Sequence, residues 1–163
     1  MRILLVAATS FEVAPTLEWL QMHCQQIGNY QFKKDFLELQ LLLTGVGMPL
    51  TAYALTKSLG ASKPFDLVIN AGIAGALDPE LEIGQVVQVK SEQFADLGVE
   101  EADGSFTSMH GLDLVPSDQY PFMGGKLTNP DADESFLPLV EAISVNKVHG
   151  YAPSIEALKE RFQ

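Results

Sequence analysis

The chain has 163 residues, 47% hydrophobic and 19% charged. That is enough apolar material for one ordinary domain without disulfide or metal staples, and it carries no disordered or collagenous bias. Ten Lys and Arg stand against twenty-one Asp and Glu, a net charge of −11. Such a field repels phosphate backbones and anionic lipid, which excludes nucleic acid and membrane surfaces as partners.

Ile3 to Ala8 is an apolar run of strand length. Behind Arg2 it superficially resembles the apolar part of a signal peptide, but Glu12 and Pro15 follow too soon. No run approaches the ~20 apolar residues of a membrane span, so the segment reads as a first buried strand. Thr9-Ser10 can cap a helix in which Val13, Leu17, Leu20 and Cys24 recur at helical spacing. Pro15 falls in its first turn, and Gly28-Asn29 provides the stop. Cys24, the single cysteine, cannot form an internal disulfide, which points to a reducing, cytoplasmic setting.

Tyr30 to Lys34 and Phe36 to Thr44 read as two strands hinged near Lys34-Asp35. The turn Gly45-Val46-Gly47 follows. Leu50, Tyr53, Ala54 and Leu59 then mark a helix with Pro49 near its start and Gly60 and Pro64 at its end. Phe65 to Asn70 has the apolar density of a strand buried on both faces, and it runs into Ala71-Gly72-Ile73-Ala74-Gly75-Ala76. Gly84 opens an alternating strand from Gln85 to Lys90 that extends toward Phe94. Residues 97–135, rich in Gly, Pro, Asp and Ser, read as a long loop with room for one short hairpin. Ala142 to Val148 is a last strand, and Ser154 to Phe162 a helix after Pro153. Strands alternating with helices, with neither repeat nor linker, predict a single α/β domain over 1–163. Its central sheet is mostly parallel or mixed, flanked by helices, with a ligand crevice at the carboxyl ends of the strands.

Glycines directly after strands allow close approach of a ligand, or simply tight packing of helix on sheet, and the spacing alone supports both. A dinucleotide site is disfavoured: Leu50 stands where the third glycine of the fingerprint belongs, and Asp66 begins a strand instead of ending one. A phosphate loop fails for want of the Gly-Lys-Ser/Thr ending. Glu12, just beyond the first strand, suits a general base that deprotonates water, or equally a carboxylate that favours a helix N-terminus. His149, beside Gly150 and Tyr151, can stack on a base or be an ordinary loop histidine. His23 and His110 lack metal-ligand spacing, and Cys24 has no adjacent acid–base partner, so neither a metal nor a cofactor is expected. The only arginines are Arg2 and Arg161. The glycine turns therefore offer no arginine fork for phosphate, and water gains as the nucleophile.

At four places the sequence resembles the nucleoside phosphorylase and nucleosidase superfamily, most closely its futalosine hydrolase branch. These are Met1 to Thr9 with Phe11-Glu12-Val13, Thr44-Gly45-Val46-Gly47, Asn70 to Ala76, and Val145-Asn146-Lys147-Val148-His149-Gly150. The resemblance implies cleavage of the bond between ribose and a purine in a small-molecule nucleoside, releasing hypoxanthine from futalosine in menaquinone biosynthesis. It places Glu12 on the attacking water, Gly47, Gly72 and Ile73 against substrate, and Val148 with His149 beside the base. Asn70 stands where the phosphorylases carry a phosphate-binding arginine, which agrees with hydrolysis. Ile73 replaces a common Ser or Thr. The resemblance also implies a homo-oligomer. It puts the family's ribose-binding glutamate and the acid that protonates the leaving base beyond the last helix, so the chain is expected to be C-terminally truncated. A methylthioadenosine/adenosylhomocysteine nucleosidase and a non-catalytic nucleoside-binding module are the competing expectations.

Overall fold

The computed structural model describes residues 1–61 and 63–162. The chain divides into two compact units, Met1–Gly75 and Ala76–Gln163, and both are mixed α/β.

The first unit runs β1 (Arg2–Ala7), α1 (Ala14–His23), β2 (Gln25–Gly28), β3 (Gln31–Lys34), β4 (Leu37–Leu43), α2 (Met48–Ala61) and β5 (Leu67–Asn70). The strands form one sheet in the order β2-β3-β4-β1-β5. β4, β1 and β5 are parallel, while β2, β3 and β4 form an antiparallel meander. β1 lies between two parallel neighbours, and its residues Ile3 to Ala7 are all buried, with Leu4 at 0% exposure. Alternation sends Leu5 and Ala7 to one face, where they cluster with Val13 and Leu41 and receive Leu17 from α1. Burial of Leu5, Val13 and Leu41 contributes about 1.5–3 kcal/mol each.

Arg2 ties the entry of β5 to that of β1. Its backbone N–H donates to Asp66 Oδ2 at 2.7 Å, its guanidinium to the Pro64 carbonyl at 3.0 Å, and its charge lies 4.6 Å from the Phe65 ring centroid. Asp66 is therefore an anchor at the amino end of β5, remote along the strand from the crevice end.

Several local expectations are corrected. α1 stops at His23, and Cys24 turns extended after donating its N–H to the Leu20 carbonyl at 2.9 Å. Gln25–Gly28, expected to finish the helix, pairs instead with β3, because sheet hydrogen bonds outweigh a helical period that ends in a glycine. The N-cap of α1 is Val13, with no side-chain cap, so Thr9 and Ser10 do not cap it. α2 includes Gly60. β5 is not buried on both faces: Leu67, Val68 and Ile69 are 40–47% exposed, and β5 is the edge strand, pairing only with β1 among the described residues.

The second unit runs β6 (Gln88–Phe94), β7 (Gly98–Glu100), β8 (Phe106–Ser108), β9 (Phe122–Met123), β10 (Lys126–Thr128), β11 (Leu139–Ser144) and α3 (Ala152–Phe162). Four strands form a sheet in the order β11-β6-β10-β9, with β11 parallel to β6, and β7-β8 is a separate ribbon. The segment read as a long loop with room for one short hairpin thus holds two. Gly124 and Gly125 turn the second, both at positive φ (58° and 76°), as a tight two-residue turn demands. β6 begins at Gln88, not Gln85, because Gly84 (φ 86°) and the Gln85 N–H to Glu82 carbonyl bond at 3.0 Å extend the preceding turn. The last strand is shifted as well, ending at Ser144 and not at Val148. No described helix is long and apolar enough to cross a membrane.

Candidate active site

Because β4, β1 and β5 are parallel, their carboxyl ends share one rim of the first unit. Ala7 pairs with Leu43, and Val6 with Asn70. The ladder continues past the strands: Thr44 N–H donates to Ala7 O and Gly45 N–H to Ala8 O, both at 3.0 Å, and Ala71 N–H donates to Val6 O at 2.8 Å. Three chain exits therefore leave together. They carry five of the predicted residues: Glu12, Gly47, Asn70, Gly72 and Ile73.

Glu12 is half-buried and lies before α1, whose first turn holds no acidic residue. Its carboxylate turns back instead of capping the helix. Oε2 accepts the Thr9 backbone N–H at 2.8 Å and the Thr9 hydroxyl at 3.3 Å. Oε1 faces the third exit, where a β-carbon on Gly72 would stand 3.2 Å from it. One oxygen is thus fixed and the other is presented to a bare backbone turn, an arrangement that can orient and deprotonate a water.

The two glycine turns separate the readings that spacing leaves open. At Gly45 (φ 82°) a side chain would meet Leu50 Cδ1 at 3.0 Å, so conformation and packing explain that glycine. Gly47 (φ 103°) is exposed, with nothing nearer than Pro49 Cδ at 3.9 Å. The buried Thr44 hydroxyl donates to the Gly45 carbonyl at 2.9 Å and accepts from the Thr51 hydroxyl at 3.2 Å, which locks the turn onto α2. Asn70 and Ile73 are both exposed at the rim, Ile73 at 73%.

Val148 and His149 belong to the second unit, in the connection from β11 to α3. Val148 is exposed, and His149 is half-buried with its Nδ1 shielded and without a hydrogen-bond partner among the described residues. They lie beyond the end of β11 at Ser144, in a stretch of chain that Asp96 holds at Asn146. After Ala95 N–H closes the ladder on Ser144 O at 2.9 Å, the Asp96 carboxylate accepts the Asn146 backbone N–H at 2.6 Å and its Nδ2 at 2.9 Å.

The other histidines serve elsewhere. His23 stacks on Trp19 with centroids 4.8 Å apart and bonds its carbonyl, and His110 Nδ1 lies 2.8 Å from the Val115 carbonyl. Among the described residues no group of His, Cys, Asp or Glu could hold a metal. A cavity of about 330 Å³ in the second unit, between Phe94, Phe106, His110 and Arg161, contains none of the predicted residues. Sequence reasoning missed Thr9 as the partner of Glu12, although a hydroxyl three residues before a carboxylate is a recognisable signal. It also missed Asp96, for which no local signal exists.

Comparison with known proteins gives three findings. The model of the phosphorylase superfamily matches residues 2–128. A futalosine hydrolase from Streptomyces coelicolor is 44% identical over 69 residues, a stretch that covers 39% of this chain and 29% of that enzyme; the matched part is less than a third of the relative's length. Among solved structures, a Helicobacter pylori 5'-methylthioadenosine/S-adenosyl homocysteine nucleosidase is similar with a TM-score of 0.70 at 16% identity, covering 99% of this chain and 72% of that one. A futalosine hydrolase mutant of Helicobacter pylori gives 0.66 at 16% identity, with 99% and 76% covered. At such identities the likeness establishes the fold.

Proposed function

The chain belongs to the phosphorylase superfamily, and from that premise we propose that it is a purine nucleosidase that uses water, with futalosine as substrate and hypoxanthine as the released base. The carrying observation is the Glu12 carboxylate, held through Oε2 by Thr9 with Oε1 facing Gly72. Asn70, with no arginine at the same rim, favours water over phosphate. The choice of futalosine is supported by the 44% identity to a futalosine hydrolase. The likeness to methylthioadenosine nucleosidases rests on fold alone.

In this reading the substrate's C–N bond breaks first, its electron pair leaving with the base, and the ribose becomes oxocarbenium-like. The Glu12 carboxylate stabilises that positive charge and takes a proton from a water held between Oε1 and the sugar, while the water oxygen forms the new bond to the ribose carbon. Gly47, Gly72 and Ile73 lie against the sugar and nucleophile, and Asn70 flanks the water. The base must also gain a proton, a role assigned to none of these residues. The two compact units are taken as parts of one phosphorylase-like domain, which the family match from residue 2 to residue 128 supports. A cytoplasmic homo-oligomer acting on a small nucleoside completes the proposal.

The test is base release from futalosine and from methylthioadenosine, followed by ultraviolet absorbance with and without phosphate. Hypoxanthine release that ignores phosphate supports the reading. Adenine release from methylthioadenosine alone moves the substrate to the sister nucleosidases. Base binding by calorimetry without release replaces the enzyme with a binding module.

A further inference from the structure

The second unit holds a cavity of about 330 Å³ that the nucleosidase reading leaves unused. β6 contributes Phe94 to its wall, β8 contributes Phe106 and Ser108, and α3 contributes Arg161. All of its lining residues belong to Ala76–Gln163, and its volume lies at the lower end of the range of small-molecule sites, ~300–1,000 Å³.

Its polar groups are donors with hydrogens to spare. The Arg161 guanidinium lies 4.6 Å from the ring centroids of both Phe106 and Phe162 and donates to the Ala95 carbonyl, its one hydrogen-bond partner among the described residues. A guanidinium carries about five N–H donors, so most of them are left for a ligand. Ser108 Oγ accepts the Gly111 N–H at 3.1 Å, which leaves its own hydrogen to donate. The rest of the wall is apolar or aromatic: Leu97, Met109, and His110, whose Nδ1–H is spent on the Val115 carbonyl at 2.8 Å. Charge is already answered. Burial disfavours the guanidinium's charge, and the Asp96 carboxylate offsets part of that cost. Acidic side chains far outnumber basic ones in this unit, so an anionic ligand would meet a repulsive field. Free donors among rings, with no charge left to balance, suit a flat neutral acceptor.

We propose that this cavity binds a small, neutral, planar aromatic molecule bearing hydrogen-bond acceptors, a carboxamide or lactam of one or two rings, with its acceptors on Arg161 and Ser108 and its ring among Phe94, Leu97 and Phe106. The site is separate from the Glu12 rim and shares no residue with the proposed reaction, so the two stand or fall independently.

The experiment titrates the full ¹⁵N-labelled chain at neutral pH with nicotinamide as the neutral probe and benzoate, of similar size but negatively charged, as its counterpart, following amide shifts by NMR. Nicotinamide is expected to saturate with a Kd of about 1 mM or below, moving the amides of residues 93–97, 106–110 and 124–125. Benzoate is expected to bind about tenfold more weakly or less. Arg161→Met removes the donors and is expected to raise the nicotinamide Kd about tenfold or more. Leu97→Trp, which fills the cavity from an exposed position and leaves Arg161 in place, is expected to do the same. No saturation by about 10 mM, or shifts confined to other residues, overturns the site. Benzoate binding as tightly as nicotinamide overturns the neutral class. An unchanged Kd in a folded Arg161→Met protein overturns the role of the guanidinium. Where Arg161→Met fails to fold, Leu97→Trp decides: an unchanged Kd overturns the site and a raised one supports it.

Discussion

Glu12 in the first unit and Asn146 in the second are each fixed by two hydrogen bonds with one partner, yet the partners are three residues away in one case and fifty in the other. The Thr9–Glu12 pair is closed within a single turn and sits directly after β1, the most buried strand of its unit. The Asp96–Asn146 pair exists only once β6 and β11 have aligned in parallel. The difference is one of robustness. A local pair costs little conformational entropy and keeps its geometry whenever its turn forms, whereas a long-range pair inherits the accuracy of a whole sheet.

The largest expected effect breaks the local pair at its functional end. Glu12→Gln keeps the shape and removes the base, so steady-state kinetics should show a loss of about 10²–10⁴ in kcat, while circular dichroism and the melting temperature stay near wild type. Gly72→Ala comes next. Its added carbon would stand 3.2 Å from Glu12 Oε1, so the carboxylate must give way, and about a tenfold to hundredfold loss of kcat is expected without loss of fold. Thr9→Val removes the hydroxyl and spares the backbone N–H bond, and should cost only about threefold to tenfold in kcat; Thr9→Ser should restore it. A Thr9→Val loss as deep as that of Glu12→Gln would show the local pair to be fragile and reverse the comparison.

The smallest effect sharpens the picture of the second sheet. Hydrogen bonding and charge from Lys126, with a lesser part from Lys90, hold the Glu141 carboxyl below its ordinary range. Glu141 therefore adds stability above its unfolded pKa that is lost as pH falls through its lower folded value. Lys126→Ala should reduce that acid-side loss in denaturant unfolding followed from neutral pH downward. The pair is exposed, so 1 M salt should shrink the difference further.

What could be read from residues alone follows the same division. β1, β4 and the glycine turn at 45–47 were legible because an apolar run, a stop and a positive-φ glycine are local facts. So was the gathering of Glu12, Gly47, Asn70, Gly72 and Ile73 at one rim, because parallel strands bring their carboxyl ends together. The end of α1 was misplaced because the pairing of Gln25–Gly28 with β3 overrides a helical period that still looks intact at Cys24. The last strand was misplaced because its pairing with β6 stops at Ser144 and Asn146 is held by Asp96, fifty residues earlier, a long-range contact that no local pattern records. β5 has the composition of a buried strand but the position of an edge, and composition carries no information about strand order.

The central claim is that Glu12 presents a water, not a phosphate, to the sugar. The direct measurement is turnover of futalosine in ¹⁸O-labelled water with increasing phosphate, reading the label on the released sugar by mass spectrometry. The account requires one labelled oxygen at the ribose carbon and a rate indifferent to phosphate. A sugar phosphate as product, or a rate that rises from zero only with phosphate, would contradict it.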